Sequence, residues 1–344
     1  MTQKKQINLA LQGGGAHGAF TWGVLDRLLE EEELDICAIS GTSAGALNGA
    51  ALKAGMINGG RQGARDNLDW LWEQVAGAPD LSIAKWMTPM EPAAISKVLE
   101  NSLPVAMAEA WTRMVSPYDY GPFYKNPLAD IVARFDYTHV CDDDKPQLLV
   151  CATRVRNGKI RVFQGAEIGP DALMASACLP TVFKAIEIDD ATTGRREAFW
   201  DGGYTGNPAL FPLFAKDLPD DIVIININPL ERDEIPTTPQ QIQNRINEIS
   251  FNSSLLRELR AIEFVQRMLD DGQLKSEQKS RVRVHMIADD KLMSQLSVAT
   301  KTVPNAGLIL QLKEAGRAAA DTFLTGHIDD IGKRSTIDLK EMFS

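Results

Sequence analysis

The pentapeptide Gly41-Thr42-Ser43-Ala44-Gly45 fits G-x-S-x-G, the nucleophile elbow, in which flanking glycines let the backbone turn sharply and expose a serine hydroxyl at a helix N-terminus. The five letters alone would read by default as a glycine-bounded turn with an N-capping serine. Context favours the nucleophile, because an apolar run at 36–40 reads as a strand and small helix-forming residues follow at 46–54. Upstream, Gly13-Gly14-Gly15-Ala16-His17-Gly18 also follows a strand-like run. It could hold a dinucleotide pyrophosphate, but the ribose-binding acid belongs at the end of the second strand. That strand ends in Ser40-Gly41-Thr42, and the nearest acids, Glu33 and Asp35, precede it. As an oxyanion hole, the same backbone N–H groups would stabilise charge developing on an ester carbonyl oxygen. Asp201-Gly202-Gly203 follows the apolar run Ala198-Phe199-Trp200, and its glycines allow close backbone approach around the carboxylate; by itself it would read as a strand-ending turn. A serine nucleophile needs a base, and the four histidines are His17, His139, His285 and His327. His139 lies beside Asp142-Asp143-Asp144 in a polar connection and His285 within an apolar strand, so neither position advertises one.

With these places reached in this order, the chain resembles the patatin-like phospholipase family, whose pattern is a glycine-rich oxyanion loop, a G-x-S-x-G serine and a D-G-G or D-G-A aspartate. The block Ala175-Ser176-Ala177-Cys178-Leu179-Pro180 is similar to the family's A-S-x-x-x-P segment, and the resemblance covers roughly residues 7–228. It implies Ser43 as nucleophile, Asp201 as its only side-chain partner in a Ser-Asp dyad, and Gly13, Gly14 and Gly15 as the oxyanion hole. The activity implied is lipid acyl hydrolysis of the phospholipase A or carboxylesterase type, through an acyl-enzyme on Ser43. The family usually has Lys or Arg where this chain has His17, so the loop departs from the pattern in its fixed positive charge but not in its backbone donors. An α/β-hydrolase esterase with a histidine base is the nearest rival. There the oxyanion loop follows the third strand, whereas the residues before Gly13 can form only one. Two further readings stay open: an acyltransferase using the same serine, and a lipid-binding protein without turnover.

The elements that must position these residues are legible in part. Residues 7–11 alternate like a strand, a helical pattern runs from 17 to 32, and the second strand and helix repeat the unit. Strands are expected at 147–154 and 159–163, joined by a turn at Asn157-Gly158, and at 197–200, 222–227 and 282–287; helices are expected at 239–270 and 305–324. The continuous β-branched run Ile222-Val223-Ile224-Ile225 suits a parallel strand covered on both faces. The fold expected is α/β, a patatin-like three-layer α/β/α arrangement with a mostly parallel central sheet, as one domain over 1–344. Residues 60–124, holding Trp70, Trp72, Trp86 and Trp111, read as a helical insertion with its 81–115 part as a candidate lid or lipid-docking surface, and 325–344 as a C-terminal tail.

The 344 residues are 44% hydrophobic and 24% charged, which excludes disorder as the main state. Lys plus Arg total 36 against 46 Asp plus Glu, and the net charge of −10 argues against nucleic acid as a partner. Cys37, Cys141, Cys151 and Cys178 are widely spaced, which fits reduced thiols in the cytoplasm better than a disulfide framework or a zinc site. No metal or cofactor is expected; Asp189-Asp190 and Asp289-Asp290 lack the loop spacing of a calcium site. The partner expected is a lipid or fatty-acyl ester, with peripheral membrane contact as an option and the oligomeric state open, a homodimer included. Neither 6–25 nor 36–52 is a continuous apolar stretch, so no signal peptide or transmembrane helix is expected and the chain is read as cytoplasmic.

Overall fold

The computed structural model describes residues 4–77, 91–100, 102–140, 145–233, 235–274 and 281–343. Eight strands form one sheet: β1 (Lys5–Leu11), β2 (Leu34–Thr42), β3 (Gln147–Arg154), β4 (Ile160–Gln164), β5 (Ile186–Asp190), β6 (Arg195–Asp201), β7 (Asp221–Ile225) and β8 (Arg283–Ile287). Their order is β5-β6-β3-β2-β1-β7-β8, with β4 pairing β3 off this path. The centre, β3-β2-β1-β7-β8, is parallel, whereas β4, β5 and β6 pair antiparallel. The helices that matter below are α1 (Gly18–Leu28), α2 (Ala44–Ala76), α3 (Pro92–Glu100), α4 (Leu103–Met114), α5 (Pro170–Ser176), α6 (Pro239–Asp270), α7 (Val298–Thr302) and α8 (Ala306–His327).

The continuous apolar strands are explained by cover on both faces. Leu9, Leu11, Val223 and Ile225 join one buried cluster with Phe20 and Leu25 of α1, Leu52 and Leu68 of α2 and Leu312 of α8. Ala10, Ile222 and Ile224, pointing the other way, pack with Leu255, Leu259 and Ile262 of α6. The result is a three-layer α/β/α molecule with a mixed, mostly parallel sheet. The start of α6 is written in its sequence: Thr238 and Gln241 make a reciprocal capping box and proline occupies the first turn.

Helix α2 runs past the expected end near residue 54, broken at Gly59-Gly60, and its second half returns to the core through Ala64, Leu68, Leu71 and Trp72. Trp72 stacks on Trp22 of α1 at 6.1 Å. The first part of the stretch 60–124 is therefore core, and among the described residues α3 and α4 follow it. On α4, Leu103, Met107, Trp111 and Met114 are exposed by 71%, 63%, 57% and 84%, a spacing that puts them on one face. Trp86, Met87, Met90, Cys141 and Asp142-Asp143-Asp144 lie outside the described residues. The last residues are docked: Ile331 and Leu339 are buried, and Gly332 N–H donates to Asp221 Oδ1 at 2.8 Å. Cys37, Cys151 and Cys178 are buried free thiols. Among the described residues no helix is long and apolar enough to cross a membrane.

Candidate active site

Strand register brings two of the sequence-marked groups together. Thr42, the last residue of β2, pairs with Cys151 of β3, and the next residue of β3, Ala152, pairs with Asp201 at the end of β6. Thr42, directly before Ser43, and Asp201 thus pair with consecutive positions of one strand. The glycine loop leaves β1 directly after Leu11, which pairs with Gly41, so all three motifs meet at the carboxyl end of the parallel strands.

Ser43 has φ 54° and ψ −123°, and among the described residues it is the only non-glycine with positive φ. Such strain persists only where the surroundings over-determine it. Here the constraints are close contacts: a Cβ on Gly13 would stand 2.7 Å from Ser43 Cβ, and one on Gly45 would run into the Leu11 carbonyl. The Ser43 hydroxyl makes no capping bond although the residue stands at the N-cap of α2, so it is not spent on the helix. Its backbone N–H donates to Ser176 Oγ at 2.9 Å, and Ser176 in turn donates to the Cys151 carbonyl at 2.7 Å. Ser176, at the end of α5, therefore ties the elbow to β3. The A-S-x-x-x-P block marked this position, but no motif along the chain names its partners. Ser176→Ala removes this acceptor of the Ser43 N–H, which predicts a loss of about 1–3 kcal/mol of stability and a lower kcat, read by thermal unfolding and ester hydrolysis. Full activity with an unchanged midpoint would show that the tie does not hold the elbow.

Asp201 is buried, with Oδ1 accepting the Gly203 N–H at 2.7 Å and its own N–H bonded to the Cys178 carbonyl at 2.8 Å. Oδ2 is buried without a hydrogen-bond partner. Burial pushes this carboxyl up to about 7, against the opposing pull of the Gly203 N–H and the nearby Ser43 hydroxyl. The Ser43 hydroxyl is near enough to act on the carboxyl, while Oδ2 has no hydrogen-bond partner among the described residues.

The three loop glycines are not equivalent. Gly13 N–H is taken by Asn207 Oδ1 at 2.7 Å, whereas the N–H groups of Gly14 and Gly15 enter no hydrogen bond among the described residues. A buried amide network, none of it visible as a motif, holds the loop. Gln12 Oε1 accepts the N–H groups of Ile227 and Asn228 at 2.8 and 3.0 Å, and Asn228 Nδ2 donates to the Gly13 carbonyl at 2.9 Å. The signal that could have found it is the set of amides at strand ends, Gln12, Asn226 and Asn228, in otherwise apolar surroundings.

The histidines are elsewhere or engaged. His139, His285 and His327 each pair with an aspartate, Asp136, Asp221 and Asp330. The His285–Asp221 pair sits at the amino end of β7, the opposite end of the sheet from Ser43. His17 Nε2 lies 2.7 Å from Thr300 Oγ1, whose proton goes to the Ser297 carbonyl, so His17 donates from Nε2. Burial, then the Lys301 and Arg232 charges, hold its pKa well below the usual value and keep it neutral. No histidine bonds Ser43 or Asp201 among the described residues, and no group of three or more His, Cys, Asp or Glu there could hold a metal.

A family model described as patatin-like phospholipase matches residues 9–214. No curated protein matches the chain. Among solved structures, it is similar to VipD from Legionella pneumophila, with TM-score 0.42 and 14% identity, over 94% of this chain and 67% of that one. It is also similar to the ExoU-SpcU heterodimer from the type III secretion system of Pseudomonas aeruginosa, with TM-score 0.31 and 18% identity, over 96% of this chain and 62% of that one.

Proposed function

The chain belongs to the patatin-like phospholipase family, and from that premise we propose that it hydrolyses lipid carboxylic esters through an acyl-enzyme on Ser43, with Asp201 as base. The observation that carries the reading is the juxtaposition of a strained, uncapped serine with a buried aspartate oxygen that has no other partner. Ser43 Oγ attacks the ester carbonyl carbon, its proton passes to Asp201 Oδ2, and the carbonyl electrons move to an oxyanion. The unspent N–H groups of Gly14 and Gly15, with the N-terminus of α2 behind Ser43, are the donors available for that charge. Collapse expels the alcohol, which takes the proton from Asp201. Water then attacks the acyl-serine, with Asp201 again as base, and releases the fatty acid. A carboxyl near pKa 7 suits both proton steps at neutral pH.

The exposed face of α4 serves as the lipid-docking cover. Its support is a link to the site: Tyr124, after α4, accepts the Lys184 N–H at 3.1 Å, and the Lys184 carbonyl accepts the Cys178 thiol at 3.1 Å, beside Asp201. Incubated with vesicles of mixed phospholipids, the purified chain is expected to release free fatty acids, identified by mass spectrometry. Acyl transfer to an added alcohol without free acid would replace hydrolysis by transferase chemistry. A Met107→Ser, Trp111→Ser double variant is expected to lose about tenfold or more on vesicles, since two apolar side chains no longer leave water, and little on a short soluble ester. Equal losses on both substrates would show that this face does not dock lipid.

A further inference from the structure

The glycine loop has no charge of its own, because His17 is held neutral. A cation reaches it from α7. Lys301 Nζ donates to Asn228 Oδ1 at 2.7 Å, and Asn228 Nδ2 donates to the Gly13 carbonyl at 2.9 Å. Asn228 fits only this way round, since its oxygen faces the ammonium and its amine faces two acceptors, Gly13 O and Gln12 Oε1. The Gly13 carbonyl belongs to the same planar, trans peptide as the Gly14 N–H, which therefore points the opposite way and is unspent. Contact is also direct: Gly15 has φ 57°, and a side chain there would run into the Lys301 carbonyl.

We infer that Lys301 is a positioning residue for this ester hydrolysis: its ammonium, acting through the Asn228 amide, polarises the Gly13–Gly14 peptide and makes the Gly14 N–H a stronger donor to the oxyanion. The inference rests on the Ser43 reading of the site. Hydrogen bonds in a chain strengthen one another, most of all when one end is charged. The benefit grows as negative charge develops on the substrate oxygen, so it belongs to kcat rather than KM. The groups facing Lys301 are Glu248 of α6, Arg232 of the loop after β7, and His17; Glu248 is also paired with Arg232 and Arg245. Burial draws the ammonium down to about 8, with Glu248 opposing and Arg232 assisting, so its neutralisation falls within reach of a pH profile.

The test uses the full chain and p-nitrophenyl butyrate, with kcat and KM followed from mildly acidic to alkaline pH. Wild-type kcat is expected to fall above about pH 8. Lys301→Met should lower kcat about tenfold at neutral pH, less than loss of a direct oxyanion donor, leave KM unchanged and remove the alkaline fall. Lys301→Arg, charged throughout, should restore most of kcat and move the fall to higher pH. Lys301→Gln keeps a donor for Asn228 without the charge, and it must show the loss if the Met variant does not fold. Unchanged kcat and pH profile in the neutral variants, with Ser43→Ala inactive, would overturn the role of Lys301 alone. Turnover surviving in Ser43→Ala would overturn the functional reading, and this inference with it.

Discussion

Ser43→Ala is expected to lower kcat by on the order of 10⁴-fold or more, because the acyl-enzyme route disappears and only oxyanion donors and binding remain. The same position separates chemistry from stability. Alanine keeps a Cβ at φ 54°, so the backbone strain stays and the unfolding midpoint should remain near that of the wild type. Ser43→Gly removes the Cβ at this strained position, and should be as inactive but more stable by about 1 kcal/mol. Near-normal turnover in a folded Ser43→Ala protein would sink the assignment; equal midpoints for the two variants would show that the elbow stores no strain.

Asp201→Asn is expected to abolish turnover as well, by about 10³-fold or more, since asparagine cannot accept the serine proton. In the wild type, kcat/KM should rise with pH through about 7 as the buried carboxyl ionises. Stability moves the other way. The folded pKa lies above the ordinary value of 3.8, so the folded state holds this proton more tightly than the unfolded chain. The contribution is complete below about 3.8 and is lost as pH rises through about 7. The Asn variant does not titrate there, so its midpoint relative to wild type should climb over that window and then level off. Thermal unfolding across the window checks the sign. A constant difference between the two proteins would mean that Asp201 is not buried as an acid, and an active Asn variant would return the proton to a histidine.

Much of this was legible along the chain because it is local. Alternation placed β1, a continuous β-branched run placed β7, and strand β3 begins and ends where its pattern does. Proline and the T-P-x-Q cap set the start of α6. β5 was not legible: it is a short edge strand of alternating half-buried isoleucines and acids, so its sequence carries little apolar pattern. The return of α2 to the core beyond Gly60 was likewise hidden, since tryptophan-rich helical residues look alike whether they face a core or a lipid. The same holds for α4, where Trp111 and Met107 do remain exposed.

The sequence by itself determined the chemical types and their order, glycine loop, elbow serine and D-G-G aspartate, because each motif is a contiguous run whose backbone demands are local. Only the tertiary structure decided what each group can do. Register against β3 sets Asp201 beside Ser43, Asn207 claims the Gly13 N–H while Gly14 and Gly15 stay unspent, and Lys301 and Asn228 reach the loop across some 200 residues or more of chain. Burial, too, exists only in the folded molecule, and it is burial that lifts Asp201 into a useful range and holds His17 neutral. Hydrogen-bond partners and desolvation are properties of a three-dimensional neighbourhood, and no spacing along the chain encodes them.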